Sequence, residues 1–210
     1  MSIICPTVTA FDLHSYREQL DKLVPFAKRI HIDLMDGVFA PTVSPDLDKI
    51  WLPEGIICDI HIMYQHPEKQ LKKLIALKPH MVIIHAESQC NVEAFVTELK
   101  KHDIKTGMAL LQETSVSGAK DKIAACDHCL IFSGHLGYHG GVADLGQLKK
   151  VAEIRENTPK IEISWDGGIN KKNITELSDG GIDVLNTGGA ITEQENPHQA
   201  YDDLIKTLEK

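Results

Sequence analysis

Short runs of β-branched and apolar residues alternate along this chain with amphipathic stretches of about ten residues, the signature of repeated strand–helix units around a parallel sheet. The predicted strands are Ile3–Val8, Ile30–Leu34, Ile57–Met63, Met81–His85, Lys105–Leu110, His128–Ser133, Ile161–Trp165 and Asp183–Asn186. Between them, Leu71, Leu74, Ile75 and Lys78 keep i, i+3, i+4, i+7 spacing, and Val92, Phe95, Val96 and Leu99 repeat it, as one buried helix face requires. Pro67 and Asn91 stand where helix starts want them. The 210 residues divided among eight units leave about 26 each, a mean strand, a mean helix and two short loops. The expectation is an α/β protein, a closed TIM (β/α)8 barrel, with residues 1–210 as a single domain. An open doubly wound sheet reads similarly, but its G-x-G-x-x-G turn after the first strand is missing. Units this compact leave little room for long lids, so strand ends and short loops are expected to hold any ligand.

Composition narrows the function. Thirty acidic against 22 basic residues give a net charge of −8, the wrong sign for gripping a nucleic-acid backbone. Apolar runs such as Met81–Ile84 and Ile56–Cys58 are far shorter than the ~20 residues that span a bilayer. The N-terminal residues lack the basic, apolar and small-residue order of a signal peptide. Five cysteines make no disulfide scaffold and suit a reducing compartment. A cytoplasmic protein with no nucleic-acid or membrane partner is expected, with Cys126 and Cys129 as structural thiols. His14, His66, His80, His102 and His198 fall on helices or loops and are expected to be solvated.

Polar residues at strand ends carry the chemistry, because a buried parallel strand is otherwise continuously apolar. His31 and Asp33 alternate through the second strand and so share a face. His61 and Met63 do the same in the third, and Asp166 ends the seventh before Gly167–Gly168. Singly, a strand histidine is commonly a hydrogen-bonded core residue and an Asp before Gly a turn. Together, two imidazoles and two carboxylates fit an N/O site for a divalent ion. Glycines cluster at Gly134–Gly141, Gly167–Gly168 and Gly188–Gly189, past three strand ends. Such clusters are ordinary turn formers, but the one after the eighth strand stands where barrels bind phosphate through backbone amides. No Lys ends a predicted strand, and Asp33-Leu34-Met35-Asp36 lacks the Lys of a decarboxylase-type Asp-x-Lys-x-x-Asp. Schiff-base and lyase chemistry are therefore disfavoured.

His31-x-Asp33-x-Met35-Asp36-Gly37, Asp59-x-His61-x-Met63, His85-x-Glu87, Asp166-Gly167-Gly168 and Gly188-x-Ala190-Ile191 follow one another in this order, and on these motifs the chain, from about Ile4 to Ile191, resembles the ribulose-phosphate 3-epimerase family of TIM barrels. His31 to Pro41 is similar to its H-x-D-x-M-D-G-x-x-x-P, Asp59-Ile60-His61-Ile62-Met63 to its D-x-H-L-M, and His85-Ala86-Glu87 to its H-x-E. Trp165 to Ile169 resembles its V-D-G-G-I/V, and Gly188-Gly189-Ala190-Ile191 its G-S-A-I. The resemblance implies one divalent metal ion (Zn, Fe, Mn or Co) on His31, Asp33, His61 and Asp166, with Asp33 and Asp166 as the acid/base pair. It implies a phosphorylated ketose substrate, D-ribulose 5-phosphate interconverted with D-xylulose 5-phosphate by moving the C3 proton through an enediolate, in a homo-oligomer. Thr7, His61, Met35, Met63, Gly137, Tyr138, His139, Gly140, Gly167, Gly168, Gly188 and Gly189 become substrate-binding candidates. The departures fall in the pocket. The family's S-V-N-P-G-F-G-G-Q loop reads Ser133 to Gly141 here, with His135-Leu136 for Asn-Pro and His139 for a Gly. Phe132 stands for Met, Thr7 for Ser, Gly189 for Ser and Leu111-Gln112 for Asn-Pro. The alternatives are an epimerase for D-allulose 6-phosphate and a non-catalytic barrel that binds a phosphorylated ligand.

Overall fold

The computed structural model describes residues 2–209. Eight parallel strands close into a barrel in chain order: β1 (Ile3–Thr9), β2 (Arg29–Met35), β3 (Ile57–Met63), β4 (Met81–His85), β5 (Lys105–Leu110), β6 (His128–Phe132), β7 (Glu162–Asp166) and β8 (Val184–Thr187), with β8 pairing back onto β1. Three strands have the predicted bounds, and the other five differ by one residue at one or both ends. Around them lie α1 (Leu13–Leu23), α2 (Leu71–Leu77), α3 (Val92–Lys100), α4 (Val116–Ala124), α5 (Lys149–Asn157), α6 (Ile174–Asp179), α7 (Gly189–Thr192) and α8 (Pro197–Leu208).

Each strand is buried on both faces. In β2, Ile30, Ile32 and Leu34 join the apolar layer under the helices, while Arg29, His31, Asp33 and Met35 alternate with them toward the barrel axis. The outer layer holds the fold together. Ile60 and Ile62 from β3, Val82 and Ile84 from β4, Trp165 from β7 and Leu185 from β8 pack there against Leu20, Phe95, Ile154 and Leu177 of the helices. Each such side chain contributes about 1.5–3 kcal/mol on burial. Inside the barrel, Met81, Ile83, Ala109, Leu130 and Phe132 form a separate apolar group.

The helices start as their sequences dictate. Asp12 accepts from Ser15 N at 2.8 Å ahead of α1, Asn91 from Ala94 N at 3.0 Å ahead of α3, and Ser115 from Gly118 N at 3.1 Å ahead of α4. α2 ends one residue before the last position of its predicted stripe, because Lys78 turns left-handed at φ 53° and caps it.

The expectation of a helix after every strand fails once. Between β2 and β3, residues 36–56 form turns and an isolated bridge, Asp36 with Val43. Pro41, Pro45 and Pro53 interrupt any helical run there. The segment still covers the barrel: Leu47 and Ile50 enter the outer layer, and Tyr16 of α1 donates to Trp51 O at 2.6 Å. The expectation of uniformly short loops fails here too, and again at residues 133–144 between β6 and α5. Both long segments reach the same end of the barrel, where Thr42 Oγ1 donates to Gly137 O. Among the described residues, no helix is long and apolar enough to cross a membrane.

Candidate active site

The C-terminal strand ends bring His31, Asp33, His61 and Asp166 together. All four are buried, and one ligand-capable atom from each lies within 4.8 Å of the others. Register explains the meeting: Asp33 pairs with His61 across β2 and β3, and alternation turns His31, Asp33 and His61 to the barrel interior. His61 Nδ1 lies 2.9 Å from Asp33 Oδ1 and 3.7 Å from Asp166 Oδ2. His31 Nε2 lies 3.3 and 3.7 Å from the same two oxygens, and neither of its ring nitrogens has a hydrogen-bond partner among the described residues. A fully buried imidazole without partners is costly, so the arrangement suits a group that completes it. Two imidazole nitrogens and two carboxylate oxygens converging on one point match the donor set of a divalent cation.

The two carboxylates are unequal. Burial opposes charge on Asp33, but His31 and His61 beside it outweigh that and hold its carboxyl well below the usual range. Thr9 Oγ1 also donates to its Oδ2 at 2.7 Å. Burial, together with the charge of Asp33, pushes Asp166 up to about 7. The pair is thus split, one carboxyl held toward its charged form and the other toward its neutral one, an inequality that acid/base chemistry can use.

Above the cluster opens a cleft of about 1090 Å³. Thr7, Met63, Asp33 and Asp166 form its floor, and Gly137 to Gly140, Gly167, Gly168, Gly188 and Gly189 line its wall. The other three candidates, His31, His61 and Met35, lie fully buried behind that lining. Met35 and Met63 pack with Ala40, flanked by Phe39 and Leu136, as an apolar side of the mouth. Gly167 and Gly168 are required by backbone approach. Their φ angles are +111° and +71°, and a Cβ would sit 2.1 Å from Gly134 N and from Ala143 N respectively. His139 keeps a place on the wall, edge-on to Phe11 with ring centroids 6.1 Å apart.

Some contributors were not among the site candidates, although His85, Glu87 and Asp36 stand in the quoted motifs. Thr9 was missed, although its two-residue spacing from Thr7 signals a shared face. Asn186 lines the cleft, 2% exposed, with Nδ2 unpartnered among the described residues. His85 and Glu87 sit behind His61. Asp36, inside the densest motif, does local work: it accepts from Val38 N, Phe39 N and Gln65 N at 2.7–2.8 Å and shapes the loop after β2. Lys150 of α5 is buried, with Nζ on the carbonyls of Leu111 and Gln112 at 2.7 and 3.0 Å, where it clamps the loop after β5. Burial pushes the free thiols of Cys126 and Cys129 up to about 11 and about 12, as structural cysteines behave. One expectation is corrected: His80 is half-buried and paired with Asp59 at 2.8 Å, because the loop before β4 lays it against the base of the barrel.

Comparison with known proteins agrees with this geometry. The family model described as the Ribulose-phosphate 3 epimerase family matches residues 3–192. The ribulose-phosphate 3-epimerase of Aquifex aeolicus is 26% identical over 199 residues, covering 91% of this chain and 90% of that protein. That of Helicobacter pylori is 27% identical over 208 residues, covering 96% and 95%. Among solved structures, a 3-hexulose-6-phosphate synthase superposes with a TM-score of 0.75 at 15% identity, over 99% of this chain and 100% of that one. A 3-keto-L-gulonate-6-phosphate decarboxylase from Vibrio cholerae superposes with a TM-score of 0.70 at 12% identity, over 99% and 97%. At such identities these two share the fold alone. The sequence matches go further, and they make this chain a member of the ribulose-phosphate 3-epimerase family, an epimerase of the isomerase class.

Proposed function

We propose that this protein is a metal-dependent sugar-phosphate 3-epimerase that interconverts D-ribulose 5-phosphate and D-xylulose 5-phosphate. The observation that carries the reading is the buried cluster of His31, Asp33, His61 and Asp166, with two unequally poised carboxylates at the mouth of a barrel. Inverting a carbon beside a carbonyl needs a proton removed from one face and another delivered to the opposite face. Asp33, ionised, takes the C3 proton. Asp166, protonated, returns one from the other side, and the reverse reaction exchanges their roles. The four side chains would hold the cation, which would supply electrophilic stabilisation to oxygens that become negative during proton transfer. Met35 and Met63 keep water from the planar intermediate. Backbone amides of the glycine loops at 137–140, 167–168 and 188–189 receive the phosphate, which fits a net-acidic protein.

Metal-loaded protein incubated with D-ribulose 5-phosphate in D2O tests this. Deuterium at C3 and formation of D-xylulose 5-phosphate are expected; their absence overturns the reading. The substituted loop at His135–Gly141 bears on the substrate, so the kcat/KM for D-allulose 6-phosphate in the same assay decides between pentulose and hexulose.

A further inference from the structure

His61 has a second side. Its Nδ1 faces Asp33 and Asp166, while its Nε2 lies 2.8 Å from Nε2 of His85 at the end of β4. His85 is fully buried, its ring held against Phe39, with centroids 4.8 Å apart, and edge-on to Phe132 at 5.9 Å. Its Nδ1 faces Glu87 Oε2 at 3.4 Å, and neither atom has a hydrogen-bond partner among the described residues. The other oxygen of Glu87 accepts from Leu111 N at 3.2 Å and from Thr114 Oγ1, which fixes the carboxylate.

Once His61 Nδ1 is taken as a ligand, proton counting along this row leaves one solution. Two imidazole nitrogens at 2.8 Å share one proton, one donating and the other accepting. A nitrogen that ligates a metal carries no proton. When His61 Nδ1 serves as a ligand, the proton of the neutral ring is on Nε2 and points at His85. His85 Nε2 must then accept, which places the His85 proton on Nδ1, facing the one carboxylate oxygen near it.

We propose that His85 and Glu87 are positioning residues that select the Nε2-protonated form of His61 and aim its Nδ1 lone pair at a divalent cation. The inference rests on the reading of the cluster as a metal centre and extends it to a row outside the ligands. Thr9 plays the corresponding part for Asp33 by occupying the oxygen turned away from the cluster. Partners of this kind, behind the ligands, typically change metal affinity by about 10- to 100-fold. A merely structural role for the row moves stability and leaves the cation untouched.

Co(II) titration into the metal-free protein, with chelator competition for affinity and visible absorption for ligand geometry, separates the two. His85→Ala is expected to weaken Co(II) binding about 10- to 100-fold and to change the absorption band. Glu87→Gln is expected to move both in the same direction by less, and it is close enough in shape to serve if His85→Ala does not fold. His85→Gln, whose carbonyl oxygen can accept from His61 Nε2, is expected to recover most of the affinity. Wild-type affinity and spectrum in His85→Ala or in Glu87→Gln overturn the assignment of that residue. Wild-type protein that takes up no Co(II) overturns the metal reading itself, and the inference with it.

Discussion

The two ends of the barrel interior are both polar, and they differ in how far their polar groups are satisfied. At the N-terminal end, Arg29 Nε meets Asp59 Oδ2 at 2.5 Å and its two terminal nitrogens meet Glu162 at 2.9 and 2.8 Å. His128 spans Glu162 and Ser164 at 2.8 and 2.7 Å, and His80 closes on Asp59. At the C-terminal end, both nitrogens of His31, Nδ1 of His85, Oγ1 of Thr7 and Nδ2 of Asn186 lack partners among the described residues. Donors and acceptors that saturate one another have nothing left for a ligand. Those left incomplete inside a cleft are where a ligand is bound, and in barrels this is the end where chemistry resides. The same residue types, His and Asp on neighbouring strands, thus form a girder at one end and a candidate site at the other.

The largest expected effect breaks the comparison at the top only. Asp166→Asn removes the returning proton and lowers formation of D-xylulose 5-phosphate from D-ribulose 5-phosphate by about 10³-fold, measured by NMR, with the urea midpoint little changed. Arg29→Ala attacks the bottom. It leaves Asp59 and Glu162 without their cation and is expected to lower stability by about 3–5 kcal/mol in urea unfolding, while Co(II) affinity stays at the wild-type level. Saturating cation sharpens the contrast from the other direction. At about 100 times Kd it adds about 2.7 kcal/mol to wild-type stability, and His31→Gln is expected to lose most of that gain in the same melts.

The smallest effect is the acid limb of the stability curve. Burial opposes charge on Glu162, but His128 and Arg29 outweigh it and keep the carboxyl far below its ordinary range. A carboxylate whose folded pKa is depressed contributes fully above its unfolded value of about 4.3, and the contribution fades as pH falls below that toward the folded value. Glu162→Gln should therefore lose less stability between pH 5 and 3 than wild type does, in unfolding followed by circular dichroism. Parallel curves for the two proteins would remove Glu162 from that limb.

Much of this was legible in the sequence. The strands were, because a parallel strand buried on both faces has to read as an apolar run, and three of them, Ile57–Met63, Met81–His85 and Lys105–Leu110, have the predicted bounds. The cluster was legible as well, since His31, Asp33, His61 and Asp166 break those runs at their C-terminal ends. The row behind it was less so. Thr9 and His85 are ordinary strand residues until the closed sheet brings β1 and β4 to the partners on β2 and β3. Arg29 lies just ahead of the predicted second strand, and no local spacing marks it, because its partners Asp59 and Glu162 lie 30 and 133 positions away. Residues 36–56 looked like a helical unit by count, although the prolines within them forbid one.

By itself, then, the sequence determined what local physics governs: period-two burial, helix caps, the breaks at proline, and the family motifs with their candidate ligands. Which polar residues became girder and which became site was decided by tertiary structure alone. Closure of eight tilted strands sets which side chains meet across the axis, and a buried polar atom is satisfied or left open only with respect to neighbours that are distant in the chain.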